Sequence, residues 1–184
     1  MTRMDPARRH ALMQLIQWLC FGILAISCYF IMTSGSSVKP LLLIPLAICI
    51  SAHCGEIEAM GTGVVGGLLT DIACGKLLGY NAVWLVTCCV LTSLLHSYYL
   101  RDKLLNILLL TAACTAVQGY LDFMFYYAIW GHEDVELSYT RIMLPSGIMT
   151  MVSTIPIWLI VRWLCRKCGS RRTLELEKTI ISGQ

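Results

Sequence analysis

The chain has 184 residues, of which 57% are hydrophobic and only 14% are charged. In soluble domains about a quarter of the residues are charged. The mean hydropathy of this chain is +0.70. A soluble fold is therefore excluded, and the sequence predicts an all-α integral membrane protein. The net charge of +3 is too small to provide the basic surface that nucleic-acid binding requires, so no nucleic-acid partner is expected.

Four long apolar segments predict complete membrane spans. In chain order they are residues 11–33, 80–100, 104–130 and 142–165. Each is long enough to cross about 30 Å of hydrocarbon as a helix. The first follows a short basic segment, and we interpret it as a span because the apolar core of a cleavable signal peptide is usually only about 7–15 residues long.

Two shorter apolar segments lie between the first and second of these spans. Residues 41–54 contain Pro45, and residues 59–70 lead into Asp71. Each segment is marginal for a full crossing, which takes about 20 residues. They predict one of two arrangements. The segments are either two short or tilted spans, or a hairpin that enters the membrane and returns. In both arrangements, the chain that follows begins on the same side of the membrane. We prefer six crossings, which gives a six-transmembrane-helix bundle whose second and third spans are short.

The distribution of Lys and Arg predicts the orientation of the bundle. With six crossings and both termini inside, eleven of the fourteen basic residues lie on the inner side, and Lys39, Lys76 and Arg141 lie outside. Five crossings would move the basic C-terminal tail outside. The sequence therefore predicts a cytoplasmic basic N-terminus at 1–10, a membrane domain of six spans at 11–167 and a cytoplasmic charged tail at 168–184.

A run of small residues interrupted by one acid is the most distinctive pattern in the chain. At a spacing of four it consists of Gly63, Gly67, Asp71, Gly75 and Gly79. Residues four apart lie on one face of a helix, and small residues let another membrane helix approach closely. The pattern predicts a helix-packing or partner-binding face. In the alternative, Gly75 and Gly79 form an outer turn before the next span.

Asp71 is the first candidate functional residue. An ionised group within a span costs at least about 2.5–3.5 kcal/mol and usually faces protein or a cavity. Asp71 would be a polar anchor for a partner helix or a pocket group. Alternatively, it is a helix-end acid that caps a neighbouring helix or pairs with Lys76.

Asp122 is the second candidate, and Gln118 lies one helical turn before it. One interpretation is an ion pair between Asp122 and Arg141, which begins the next span. The other is an outward-facing polar pocket that Asp71, Gln118 and Asp122 share, since polar groups within spans often line cavities.

The sequence contains no pattern that predicts catalysis or metal binding. Cys165 and Cys168 form a CxxC pair, but a structural zinc site needs four ligands and no second pair is present. His53, Glu56 and Glu58 predict a solvated inner loop between the two short spans. We therefore expect no enzymatic activity, no cofactor and no metal.

The stretch from Gly67 to Asp71, followed by Gly75 and by Leu78 to Asn81, resembles the pattern of the rod shape-determining membrane protein MreD family. The basic N-terminus and a final span that ends in Arg and Lys fit the same family. The resemblance implies a non-enzymatic scaffold of the cell-elongation complex in the bacterial cell membrane. It also implies that the chain, embedded in the lipid bilayer, binds MreC through the membrane. The same resemblance implies that it supports the synthase formed by RodA and a class B penicillin-binding protein, and that it is linked indirectly to MreB.

The family is also similar in architecture to the substrate-binding S components of energy-coupling-factor transporters, which are six-helix bundles with an outward vitamin pocket. Such an S component is the alternative function. S components dock their transporter through an Ala-xxx-Ala surface in the first span. Near the first span that spacing occurs only at Ala7 and Ala11, in the basic N-terminal segment, and no such pair lies within the span itself, which disfavours the alternative.

Overall fold

The computed structural model describes residues 6–34, 40–98, 104–124 and 144–168, and every element in these ranges is helical. These ranges contain six helices. They are α1 (Pro6–Thr33), α2 (Leu43–Ser51), α3 (Glu56–Cys74), α4 (Tyr80–Tyr98), α5 (Leu104–Phe123) and α6 (Leu144–Cys168).

Five of these helices are long and apolar enough to cross a membrane, and α2 is the exception. Of the two segments expected to be short, α2 is short, with nine residues, whereas the expectation is wrong for α3, which has 19. The sequence favours six crossings, and five of the described helices have the length and composition for one. Glu56 and Glu58, expected in a loop, lie instead in the first turn of α3, where Glu56 is exposed and Glu58 is half-buried. Acidic residues are favourable there because the helix macrodipole is positive at its N-terminus.

The helices alternate in direction. The amide of Gln17 donates to Cys165 Sγ at 3.6 Å, which places the early part of α1 beside the last turns of α6. The backbone N–H of Leu41 donates to Thr150 Oγ1 at 3.1 Å and places the start of α2 beside the start of α6. We call the end where α1 starts and α6 finishes the basal end, and the end with the α3–α4 turn the distal end. The first and last helices thus open and close at the same end of the bundle.

The short helix α2 lies at the centre of the bundle. All nine of its residues are buried, and they contribute to both apolar clusters of the core. Lipid tails are as apolar as the side chains, so burial within a membrane bundle reflects close packing between helices. The long helices therefore surround α2, and α2 fixes their spacing.

Candidate functional site: a buried polar network at the distal end

Gly63 and Gly67 pack α3 directly against the backbone of α4. A Cβ atom added to Gly67 would lie 2.2 Å from Ala82 Cα, and one added to Gly63 would lie 2.7 Å from Val86 Cα. Both distances are below any real carbon contact, so only glycine allows this approach. The glycine face of α3 is therefore occupied by α4 of the same chain.

Gly75 and Gly79 lie outside the helix, in the turn between α3 and α4. Their φ angles are +66° and +97°, the left-handed region that glycine adopts without strain. The expectation that five residues share one helix face is therefore wrong for these two. Gly75 ends α3 as its C-cap residue, and Gly79 leads into α4. The two glycines thus form the outer turn before the next span, the alternative stated above.

Asp71 caps the N-terminus of α4. Its side chain is fully buried, and its two carboxylate oxygens accept hydrogen bonds from the backbone N–H of Gly79 at 2.8 Å and of Asn81 at 3.1 Å. The first N–H groups of a helix have no partner within the helix, and a carboxylate there also meets the positive end of the macrodipole. From its place in α3, Asp71 thus fixes the α3–α4 turn by capping α4. This is the helix-end role given above as an alternative.

Asn81 links this cap to α5. Its side-chain oxygen accepts a hydrogen bond from Gln118 Nε2 at 2.7 Å, and both side chains are at most 2% exposed. Asn81 was not among the predicted site residues. The signal that could have identified it is its position: it is an amide one residue into an apolar span, where an unsatisfied polar group is costly.

Asp122 forms an ion pair with Lys76, whose Nζ lies 2.5 Å from Asp122 Oδ2. Lys76 belongs to the α3–α4 turn, so the pair fastens this turn to the end of α5. Arg141, the predicted partner, lies outside the described residues. Within the described ranges, Asp122 Oδ1 and Asn81 Nδ2 are buried and have no hydrogen-bond partner.

The network brings together three of the four residues predicted to form a pocket or an ion pair. Asp71 and Gln118 meet through Asn81, and Asp122 lies one turn beyond Gln118 on α5. These three side chains are buried, at 0%, 2% and 5% exposure. Their hydrogen bonds join α3, α4 and α5, and this arrangement stabilises helix positions.

The other titratable groups considered from the sequence lie at the basal end. The rings of His53 and His96 are 6.1 Å apart, and His53 Nδ1 lies 3.0 Å from the carbonyl oxygen of Cys49. In the part of the chain that the structure describes, no three His, Cys, Asp or Glu side chains come together as metal ligands.

Comparison with protein families gives a match over residues 9–168, to the family described as rod shape-determining protein MreD. Searches of curated proteins and of solved structures gave no match. The matched range includes the whole polar network and all of α2 to α6.

Proposed function

Because the chain belongs to the rod shape-determining protein MreD family, whose sequence model matches residues 9–168, we propose that it is a non-enzymatic membrane scaffold of the cell-elongation complex. Membership of this family makes it a multi-pass membrane protein with a role in rod-shape determination. In our proposal it binds MreC and supports the RodA–class B penicillin-binding protein synthase that builds the lateral wall. It lies in the bacterial inner membrane with the flanking segments 1–10 and 168–184 in the cytoplasm.

The observation that carries this proposal is the way in which the buried polar side chains are used. Asp71 caps the N-terminus of α4, the side chain of Gln118 donates to that of Asn81, and Asp122 binds Lys76. A nucleophile needs a general base within hydrogen-bond reach, and this network instead consists of a cap, an amide pair and an ion pair. These are features of a bundle with fixed helix positions, as a scaffold requires.

The transporter alternative has no support. The family match is to MreD, and no solved structure, of an S component or otherwise, matched the chain.

In this proposal, partners bind on helix faces other than the glycine face of α3, because α4 occupies that face. The exposed side of α1 carries large apolar residues such as Leu19, Ile23 and Phe30. The exposed side of α5 combines small Ala113 and Ala116 with larger residues. Small residues allow close packing of a partner's membrane helix, so α5 is the preferred surface for MreC and α1 the second.

The test is co-purification of MreC with the tagged full-length protein from rod-shaped cells. Ala116→Trp on α5 should reduce capture of MreC and produce rounded cells, since the bulky ring blocks the close approach of another helix. Val83→Trp on α4 is the matched control, because Val83 is 73% exposed and lies on a helix outside the proposed surface.

Two outcomes would contradict different parts of the proposal. Unchanged capture with Ala116→Trp, together with reduced capture for Ile23→Trp, would move the surface from α5 to α1. A stable wild-type protein that captures neither MreC nor the synthase would refute the scaffold role itself.

A further inference from the structure

One arginine at the basal end is held in place by an aromatic ring. Arg162 lies near the end of the apolar segment Pro145–Arg166 of α6, and its guanidinium carbon is 4.6 Å from the centre of the Trp158 ring. Trp158 is 6% exposed and belongs to the apolar core. The ring is therefore a fixed platform, and the half-buried guanidinium is positioned by cation–π attraction.

The charge of Arg162 is not neutralised within the described ranges. Asp71 and Asp122 lie at the opposite end of the bundle. Glu56 and Glu58, in the first turn of α3, lie at the basal end, but no ion pair or hydrogen bond joins either of them to Arg162 among the described residues. Stacking occupies the flat face of the guanidinium and leaves its five in-plane N–H donors available. A half-buried charge whose donors have no carboxylate partner in the described ranges is favourable for binding an anion.

Polar groups from two helices meet at this level. Gln17 of α1 donates to Cys165 Sγ at 3.6 Å, one turn along α6 from Arg162. Arg166 lies one turn beyond Arg162 on the same side of the helix and is exposed. The ends of membrane spans lie at the depth of the phospholipid headgroups. The anion that is abundant at this depth is the phosphodiester of a lipid.

We propose that the basal arginine site, formed by Trp158, Arg162 and Arg166, binds the phosphodiester group of an anionic membrane phospholipid. The planar fork of Arg162 donates two parallel hydrogen bonds to phosphate oxygens, a geometry that guanidinium groups favour. Trp158 fixes the orientation of the fork, and Arg166 adds longer-range attraction from the exposed side.

The test measures the phospholipid that stays bound to the purified full-length protein. The protein is reconstituted in nanodiscs of phosphatidylcholine and phosphatidylglycerol and extracted in mild detergent, and the retained lipid is counted by native mass spectrometry. Arg162→Gln should lower retained phosphatidylglycerol by about tenfold or more, because charge-assisted hydrogen bonds are lost. Arg166→Gln removes the same charge from an exposed position and should lower it by about fivefold or less.

Equal losses in these two variants would overturn the proposal, because they would indicate diffuse attraction to the membrane surface. Displacement of the lipid by inorganic phosphate would also overturn it, since the site would then bind a free anion. Trp158→Phe should give an intermediate loss, because phenylalanine holds a cation less well. If Arg162→Gln fails to fold, Arg162→Lys decides: it keeps the charge but not the planar fork, and retention equal to wild type would refute the site.

Discussion

Replacing Gly67 with Ala tests how α3 and α4 are held together. The new Cβ would lie 2.2 Å from Ala82 Cα and 2.6 Å from Ala82 N. Both are backbone atoms, so no side-chain rotation can relieve the overlap. Carbon atoms in contact are about 3.5 Å apart, and the two helices must therefore separate locally by about 1.3 Å.

The separation would reach the polar network one turn away. Asp71 lies four residues after Gly67 on the same face of α3, and its bonds to Gly79 and Asn81 are 2.8 Å and 3.1 Å long. An added 1.3 Å or so takes both beyond hydrogen-bond distance. Overpacking alone typically costs about 1–3 kcal/mol, and each buried N–H that loses its acceptor adds about 1–3 kcal/mol. We expect a loss of about 3 kcal/mol or more in the free energy of unfolding.

The assay is reversible unfolding in mixed micelles with a denaturing detergent, with helicity followed by circular dichroism. Gly61→Ala is the matched control: it makes the same change in the same helix, and its added Cβ would meet nothing within 4 Å. Its stability should equal or slightly exceed that of wild type, because alanine is the better helix former. A Gly67→Ala protein within about 0.5 kcal/mol of this control, the range of ordinary surface substitutions, would refute the close-packing argument.

The remaining predictions concern the charged residues of the network and use the same unfolding assay. Asp71→Ala should cost about 2–6 kcal/mol because the buried N–H of Asn81 and the partly buried N–H of Gly79 lose their acceptor, and Asp71→Asn should cost about half as much because it keeps one acceptor oxygen. The neighbouring exposed Ile72 provides the control through Ile72→Ala, and equal losses for the two Asp71 variants would contradict the assignment of two bonds. Lys76→Met should cost about 3–5 kcal/mol by leaving Asp122 buried without its counter-charge. Adding Asp122→Leu should recover much of that loss, and a double variant less stable than Lys76→Met would rule out this account.

Membrane class and close packing at Gly63 and Gly67 could be predicted from the sequence because both depend on local pattern. The length of α3 could not, since Glu56 and Glu58 interrupt the apolar run although they suit a helix N-terminus. The spacing of four continues through Gly75, but the residue ends the helix. Spacing alone cannot distinguish a helix face from a left-handed turn, which depends on where the next helix starts.

The partners in the polar network depend on tertiary structure. Lys76 and Asp122 are 46 residues apart in the chain, and they meet because α5 docks against the α3–α4 turn. Counting Lys and Arg residues predicts that Lys76 lies on the outer side of the membrane. The count cannot predict which side chain Lys76 contacts. The pairing of Asn81 with Gln118 depends on the same docking.

The central helix α2 has a consequence for the way the protein enters the membrane. Its nine residues rise about 13 Å, less than half of the hydrocarbon thickness of about 30 Å. A segment this short is a weak membrane-insertion signal by itself. Because all nine residues are buried against other helices, the place of α2 in the bundle depends on those contacts. Substitutions that weaken them are therefore expected to impair the insertion of α2 as well as the stability of the folded bundle.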